Sequence, residues 1–68
     1  EIDAYGHDIA LEIKYFYPER DPYKVLQHIS KSRMLISYNY YRRTFRGIKW
    51  DRIKKKLLHK TFIWLNYV

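Results

Sequence analysis

The chain has no cysteine, so neither a disulfide nor a thiolate metal site can staple it. That absence fits a reducing, cytoplasmic setting. It has no long apolar run either. The longest, residues 62–65, falls far below the roughly 20 residues that a membrane span requires, so no membrane partner is expected. Residue 1 is Glu rather than Met and no signal-peptide pattern opens the chain, which suggests a processed chain or a piece of a longer one. Linkers rich in Gly or Ser, repeats and low-complexity tracts are missing as well. Sixty-eight residues make one small domain or a domain fragment, burying only about 60% of the surface exposed on unfolding.

Acids are scarce beyond residue 21. Six of the seven Asp and Glu lie in residues 1–21 and only Asp51 follows, whereas twelve Lys and Arg fall between Lys24 and Lys60. The net charge is +7 and the pI about 9.8. A balance of this kind favours polyanionic partners. An acidic front ahead of a basic body suits a site that holds cations beside a surface that holds phosphates. A plain solvated charged face is the simpler reading of the same pattern.

Alternation in the first segment predicts a β-hairpin. Residues 2–5 make a short strand, Gly6, His7 and Asp8 have turn composition, and residues 9–17 make a second strand. In that strand Ile9, Leu11 and Ile13 would point one way, and Ala10, Glu12 and Lys14 the other. Residues 18–22 form a loop. Asp21 then offers an N-cap and Pro22 a first helical position. From there Val25, Leu26, Ile29, Ile36 and Tyr40 carry near-helical spacing, for a helix reaching about Phe45 or ending near Lys31. Gly47 ends whichever element precedes it. Residues 48–53 read as a short strand and 54–66 as a final helix, with Leu57, Leu58, Thr61, Phe62 and Leu65 on its apolar face. The expected fold is thus α/β, a small mixed sheet with flanking helices in the order β-β-α-β-α. Residues 1–17 would form a metal-site hairpin and 22–68 a helical, basic, DNA-binding part.

Phosphodiester hydrolysis requires a hard divalent cation, held by carboxylates, and an activated water. In the expected hairpin Asp3 and Glu12 are direct or diagonal neighbours across the two strands. Lys14, two residues on, leaves the same face as Glu12 and would orient the attacking water. The carbonyl of Ile13 is a natural further ligand. Asp3, Glu12 and Ile13 are therefore expected to bind Mg²⁺ or Mn²⁺, with Asp3, Glu12 and Lys14 catalytic. The bland alternative is a solvent-facing strand with a Glu–Lys pair.

The segment EIDAYGHDIALEIKYF resembles the signature of the PD-(D/E)xK nuclease superfamily. More loosely, the aromatic segment from Tyr40 to Phe45, the run Gly47-Ile48-Lys49-Trp50 and the run Thr61-Phe62-Ile63-Trp64-Leu65 resemble the catalytic domain of TnsA-type transposon endonucleases. The resemblance implies a restriction-endonuclease-like core, metal-dependent cleavage of double-stranded DNA, and a transposase as partner subunit. Glu12 departs from the Gln common in TnsA-type domains, and the upstream helix that supplies a further acid does not precede the motif.

The densest basic stretch comprises Arg42, Arg43, Arg46, Lys49, Arg52, Lys54, Lys55 and Lys56, interleaved with Tyr38, Tyr40, Tyr41, Phe45 and Trp50. Cations among rings suit phosphate contacts with stacking platforms. Equally, the rings would be core and the cations would snorkel outward. His7, His28 and His59 have no metal-ligand spacing, and a helix-turn-helix across 25–40 lacks its turn glycine. The rival to a nuclease is a non-enzymatic β-grasp module whose basic face binds nucleic acid or an acidic protein. It requires residues 61–68 to be a strand.

Overall fold

The computed structural model describes residues 2–68, and Glu1, the first letter of the motif, lies outside them. Helix α1 spans Ile2–Phe16, α2 Pro22–Gln27, α3 Ile36–Thr44 and α4 Gly47–Leu65, with a single 3-10 turn at Ile29–Lys31. No strand occurs among the described residues. The expected α/β order is therefore corrected to an all-helical one. With the sheet goes the PD-(D/E)xK resemblance, TnsA-type domain included, because its site is built on paired strands. The β-grasp alternative falls for the same reason, since α4 continues to Leu65 where that fold requires a strand.

Helix α1 replaces the hairpin because its small and apolar residues satisfy a helical period as well as an alternating one. Gly6, Ile9, Ala10 and Ile13 follow the three-and-four spacing of one helical face, and all four are buried. Leu11, which alternation places beside Ile9 and Ile13, is 45% exposed. Asp3 in the first turn and Lys14 in the last complement the helix dipole. Gly6 lies mid-helix rather than in a turn.

Asp21 and Pro22 start α2 as their residue types require, with the Asp21 carboxylate accepting from the Tyr23 amide at 3.0 Å. The helix does not continue to Phe45. It stops at Gln27, and buried Ile29 and Leu35 pin the connection to the core at either end. Between α3 and α4 the chain is extended at Phe45 and Arg46, and Gly47 follows with φ +65°. Only glycine takes that conformation without strain. The expected strand at 48–53 is the first part of α4, where Trp50, Ile53 and Leu57 recur at helical spacing.

Helix α1 touches each of the other three helices, and its contact with α4 is the most extensive. Ile9, Ala10 and Ile13 meet Leu35, Tyr38 and Tyr41 from the α3 side and Leu57 and Leu65 from α4 in one core. Burial of each large aliphatic side chain there contributes about 1.5–3 kcal/mol. No helix among the described residues is long and apolar enough to cross a membrane.

Candidate nucleic-acid interface

On a helix, Asp3 and Glu12 stand nine residues apart. That is about two and a half turns and about 13.5 Å of rise, so they leave opposite sides. Glu12 and Lys14 are separated by about 200° around the axis. Each has a separate tertiary partner. The Asp3 carboxylate accepts from the Trp64 indole N–H at 3.2 Å and lies 3.7 Å from the Lys60 ammonium. Glu12 accepts from the Ser37 amide at 3.2 Å and from the Ser37 hydroxyl at 2.7 Å, capping the N-terminus of α3 from another helix. Lys14 donates to the carbonyl of Val68. The carbonyl of fully buried Ile13 accepts from the Tyr17 amide at 3.0 Å. The residues expected to hold metal thus tie α1 to α3 and α4, and the structure does not bring them together. No group of three His, Asp or Glu suited to a metal ion occurs among the described residues.

The basic residues are arranged differently from the acids. Arg42, Arg43, Arg46, Lys49, Arg52, Lys55 and Lys56 are exposed and Lys54 is half-buried. None of these eight has an ion-pair partner among the described residues, where Lys60 with Asp3 is the pair formed. Along α4, Lys49, Arg52 and Lys56 follow three-and-four spacing and make a ridge about 10 Å long beside the buried face.

Arg42 and Arg43, in the last turn of α3, face the segment that leaves α2. Together with Lys31 and Arg33 they line an open groove of about 670 Å³, whose other walls include Ser30, Ser32 and Asn39. Four cations, two hydroxyls and an amide converge there, and no carboxylate lines it. Guanidinium groups bind phosphate through paired N–H donors. Lys31 and Arg33 lie outside the basic stretch singled out in the sequence. Their charge is legible as Lys31-Ser32-Arg33 between two helices, but their convergence with Arg42 and Arg43 depends on how the turn folds back against α3.

The interleaved aromatics are mostly core. Tyr38 and Tyr41 are buried, and Trp50 and Phe45 are half-buried against them with centroids at 5.7 and 5.6 Å. Tyr5 meets Tyr41 edge-on at 4.6 Å and lies parallel to half-exposed Tyr40 at 6.0 Å. Burial pushes the Tyr38 hydroxyl above its ordinary pKa of 10.0, while the charge of Arg42 pulls the other way. That hydroxyl has no hydrogen-bond partner among the described residues.

Compared with protein-family models, curated proteins and solved structures, the chain matches none of them. What defines its class is its architecture: a small helical domain that turns a cationic groove and ridge toward solvent.

Proposed function

We propose that this chain binds nucleic acid through the phosphate backbone. The observation that carries this is the groove in which Lys31, Arg33, Arg42 and Arg43 converge with no acid among its lining residues. Four like charges brought together on an 8.5 kDa domain repel one another, and a polyanion relieves that repulsion. Hydroxyl and amide donors from Ser30, Ser32 and Asn39 add neutral hydrogen bonds of the kind that phosphate oxygens accept. The ridge of Lys49, Arg52 and Lys56 supplies further contacts along a strand. Cleavage is not part of the proposal, because its expected ligands and lysine stand apart on α1.

Binding of a labelled oligonucleotide, followed by fluorescence anisotropy across a salt series, tests the proposal. The logarithm of the binding constant is expected to fall linearly with the logarithm of salt concentration, with a slope of about −0.7 to −0.9 for each phosphate neutralised. Polyglutamate at matched charge should compete poorly, since carboxylates on a flexible peptide do not reproduce phosphate spacing. Absence of binding at low salt would refute the proposal, as would equal competition by polyglutamate. The latter outcome would point to an acidic protein instead.

A further inference from the structure

A second depression, of about 520 Å³, adjoins the cationic groove and shares Lys31 and Ser32 with it. Its volume lies within the range of small-molecule sites. Tyr17 and Val25 line it, with His28 alongside and Arg20 and Lys24 also in its wall. Its one acid, Asp21, already accepts from the Tyr23 amide. The depression therefore joins a ring and an aliphatic wall to a surplus of positive charge.

The Tyr17 ring is held in place. Its hydroxyl shares a hydrogen bond with Ser32 at 2.8 Å, and the Arg20 guanidinium lies 5.8 Å from the ring centroid. A ring fixed before binding loses little freedom on accepting a partner. We propose that this pocket receives an unstacked base of a single-stranded nucleic acid, while the adjoining phosphate lies in the groove beside Lys31 and Ser32. This proposal rests on the nucleic-acid function above and names the form of nucleic acid selected.

Two observations favour that occupant. Because the depressions share Lys31 and Ser32, base and backbone phosphate of one nucleotide can occupy them together. The pocket also combines an aromatic platform with cations, which is how single strands are gripped without sequence readout. A duplex keeps its bases paired and stacked, so it reaches the cations but not the pocket.

The test compares four ligands of equal phosphate number on the wild-type chain: a single strand, a hairpin duplex, a single strand of abasic sites, and polyphosphate. The ordinary single strand is expected to bind about tenfold more tightly than the abasic strand, the size of effect that one base stacked on a ring produces. The duplex and polyphosphate, which offer no unstacked base, should bind through the cations alone and be insensitive to the pocket. Tyr17→Leu keeps apolar volume and should remove about tenfold from single-strand binding alone, leaving the salt slope unchanged. Circular dichroism confirms that this variant folds, and the abasic comparison needs no variant at all. Equal binding of ordinary and abasic strands would overturn the base pocket while leaving phosphate binding intact. Failure of every ligand to bind at low salt would overturn both.

Discussion

Gly6 of α1 lies so close to Lys60 of α4 that a β-carbon at position 6 would stand 2.7 Å from the Lys60 β-carbon. It would also stand 3.1 Å from both the Lys60 carbonyl carbon and the Thr61 amide nitrogen. These atoms are backbone or next to it, so they cannot swing aside as a side-chain tip does. The most extensive helix contact of the fold therefore depends on a position with no side chain, continued one turn on by Ala10.

Gly6→Ala is accordingly expected to destabilise the protein. Alanine in a helix interior contributes about 1 kcal/mol relative to glycine, but overpacking a helix contact costs about 1–3 kcal/mol. We expect a net loss of about 1 kcal/mol, lowering Tm by about 4–8 °C for a domain of this size. A bulkier Gly6→Val should lose cooperative unfolding. Thermal melts followed by circular dichroism at 222 nm measure both, and a raised Tm for Gly6→Ala would contradict the close approach.

Glu12 gives a second prediction, because its carboxylate pairs with Ser37 across two helices. Helix α3 has Leu35 at its N-cap, which offers no side-chain acceptor, and the carboxylate arriving from α1 serves instead. Loss of a cap acceptor costs about 0.5–2 kcal/mol. Glu12→Ala should therefore destabilise by about 1–2 kcal/mol and Ser37→Ala by less. The double variant should cost less than the sum, since both single changes break the same contact. Urea denaturation of the four proteins yields the coupling. Additive losses would mean that the two side chains act independently.

How far the sequence could be read follows from such residues. Asp21-Pro22 announced the start of α2 because capping is local, settled by two adjacent residue types. The final helix is legible from Leu57, Thr61 and Leu65, which repeat every four residues, although the run 61–68 also admits the strand of the β-grasp reading and only the structure excludes it. The first segment is not legible, because Ile9, Leu11 and Ile13 alternate while Gly6, Ile9, Ala10 and Ile13 also follow a helical period. What decides between them is the close approach of α4, some fifty residues away. Gly6 is ambiguous for the same reason: a glycine within a short apolar pattern marks either a turn or a helix crossing, and only the partner distinguishes them. The charges of the interface were visible residue by residue. The groove was not, since it depends on the break after Gln27 that sets Lys31 and Arg33 opposite α3.

Tyr38 supplies a prediction about alkaline pH. Its hydroxyl is buried without a partner among the described residues, and burial raises its folded-state pKa above 10.0, against the opposing pull of Arg42. A group whose folded pKa exceeds its unfolded one contributes stability that is fully present below the unfolded pKa and lost as pH rises through the folded value. In the unfolded chain Tyr38 ionises near pH 10, so stability should decline above that pH. Tyr38→Phe removes the ionisation and should flatten that decline. At neutral pH the same change removes an unsatisfied polar group, and we expect it to be neutral or to stabilise by about 1 kcal/mol. Urea midpoints at pH 7 and pH 10.5 test both halves, and a clear loss of stability at pH 7 would show that the hydroxyl has a partner.

The groove cations should separate from the other charges in a salt titration. If Lys31, Arg33, Arg42 and Arg43 each meet a phosphate, Lys31→Ala with Arg33→Ala should reduce the salt slope of oligonucleotide binding by about two units of log–log slope at most. Arg42→Ala with Arg43→Ala should do the same from the opposite wall. Lys55→Ala removes one exposed charge from α4, outside the groove and about 60° around the axis from Arg52 of the ridge. Its effect on the slope should be far smaller than that of either groove pair. The comparison matters because a domain of net charge +7 attracts polyanions by its overall field, to which every cation contributes alike. A directed site instead concentrates the loss in the residues that converge. Equal losses per charge at Lys55 and in the groove would reduce the interface to net charge, while a slope that falls only with the groove pairs would locate the phosphates between Arg33 and Arg42.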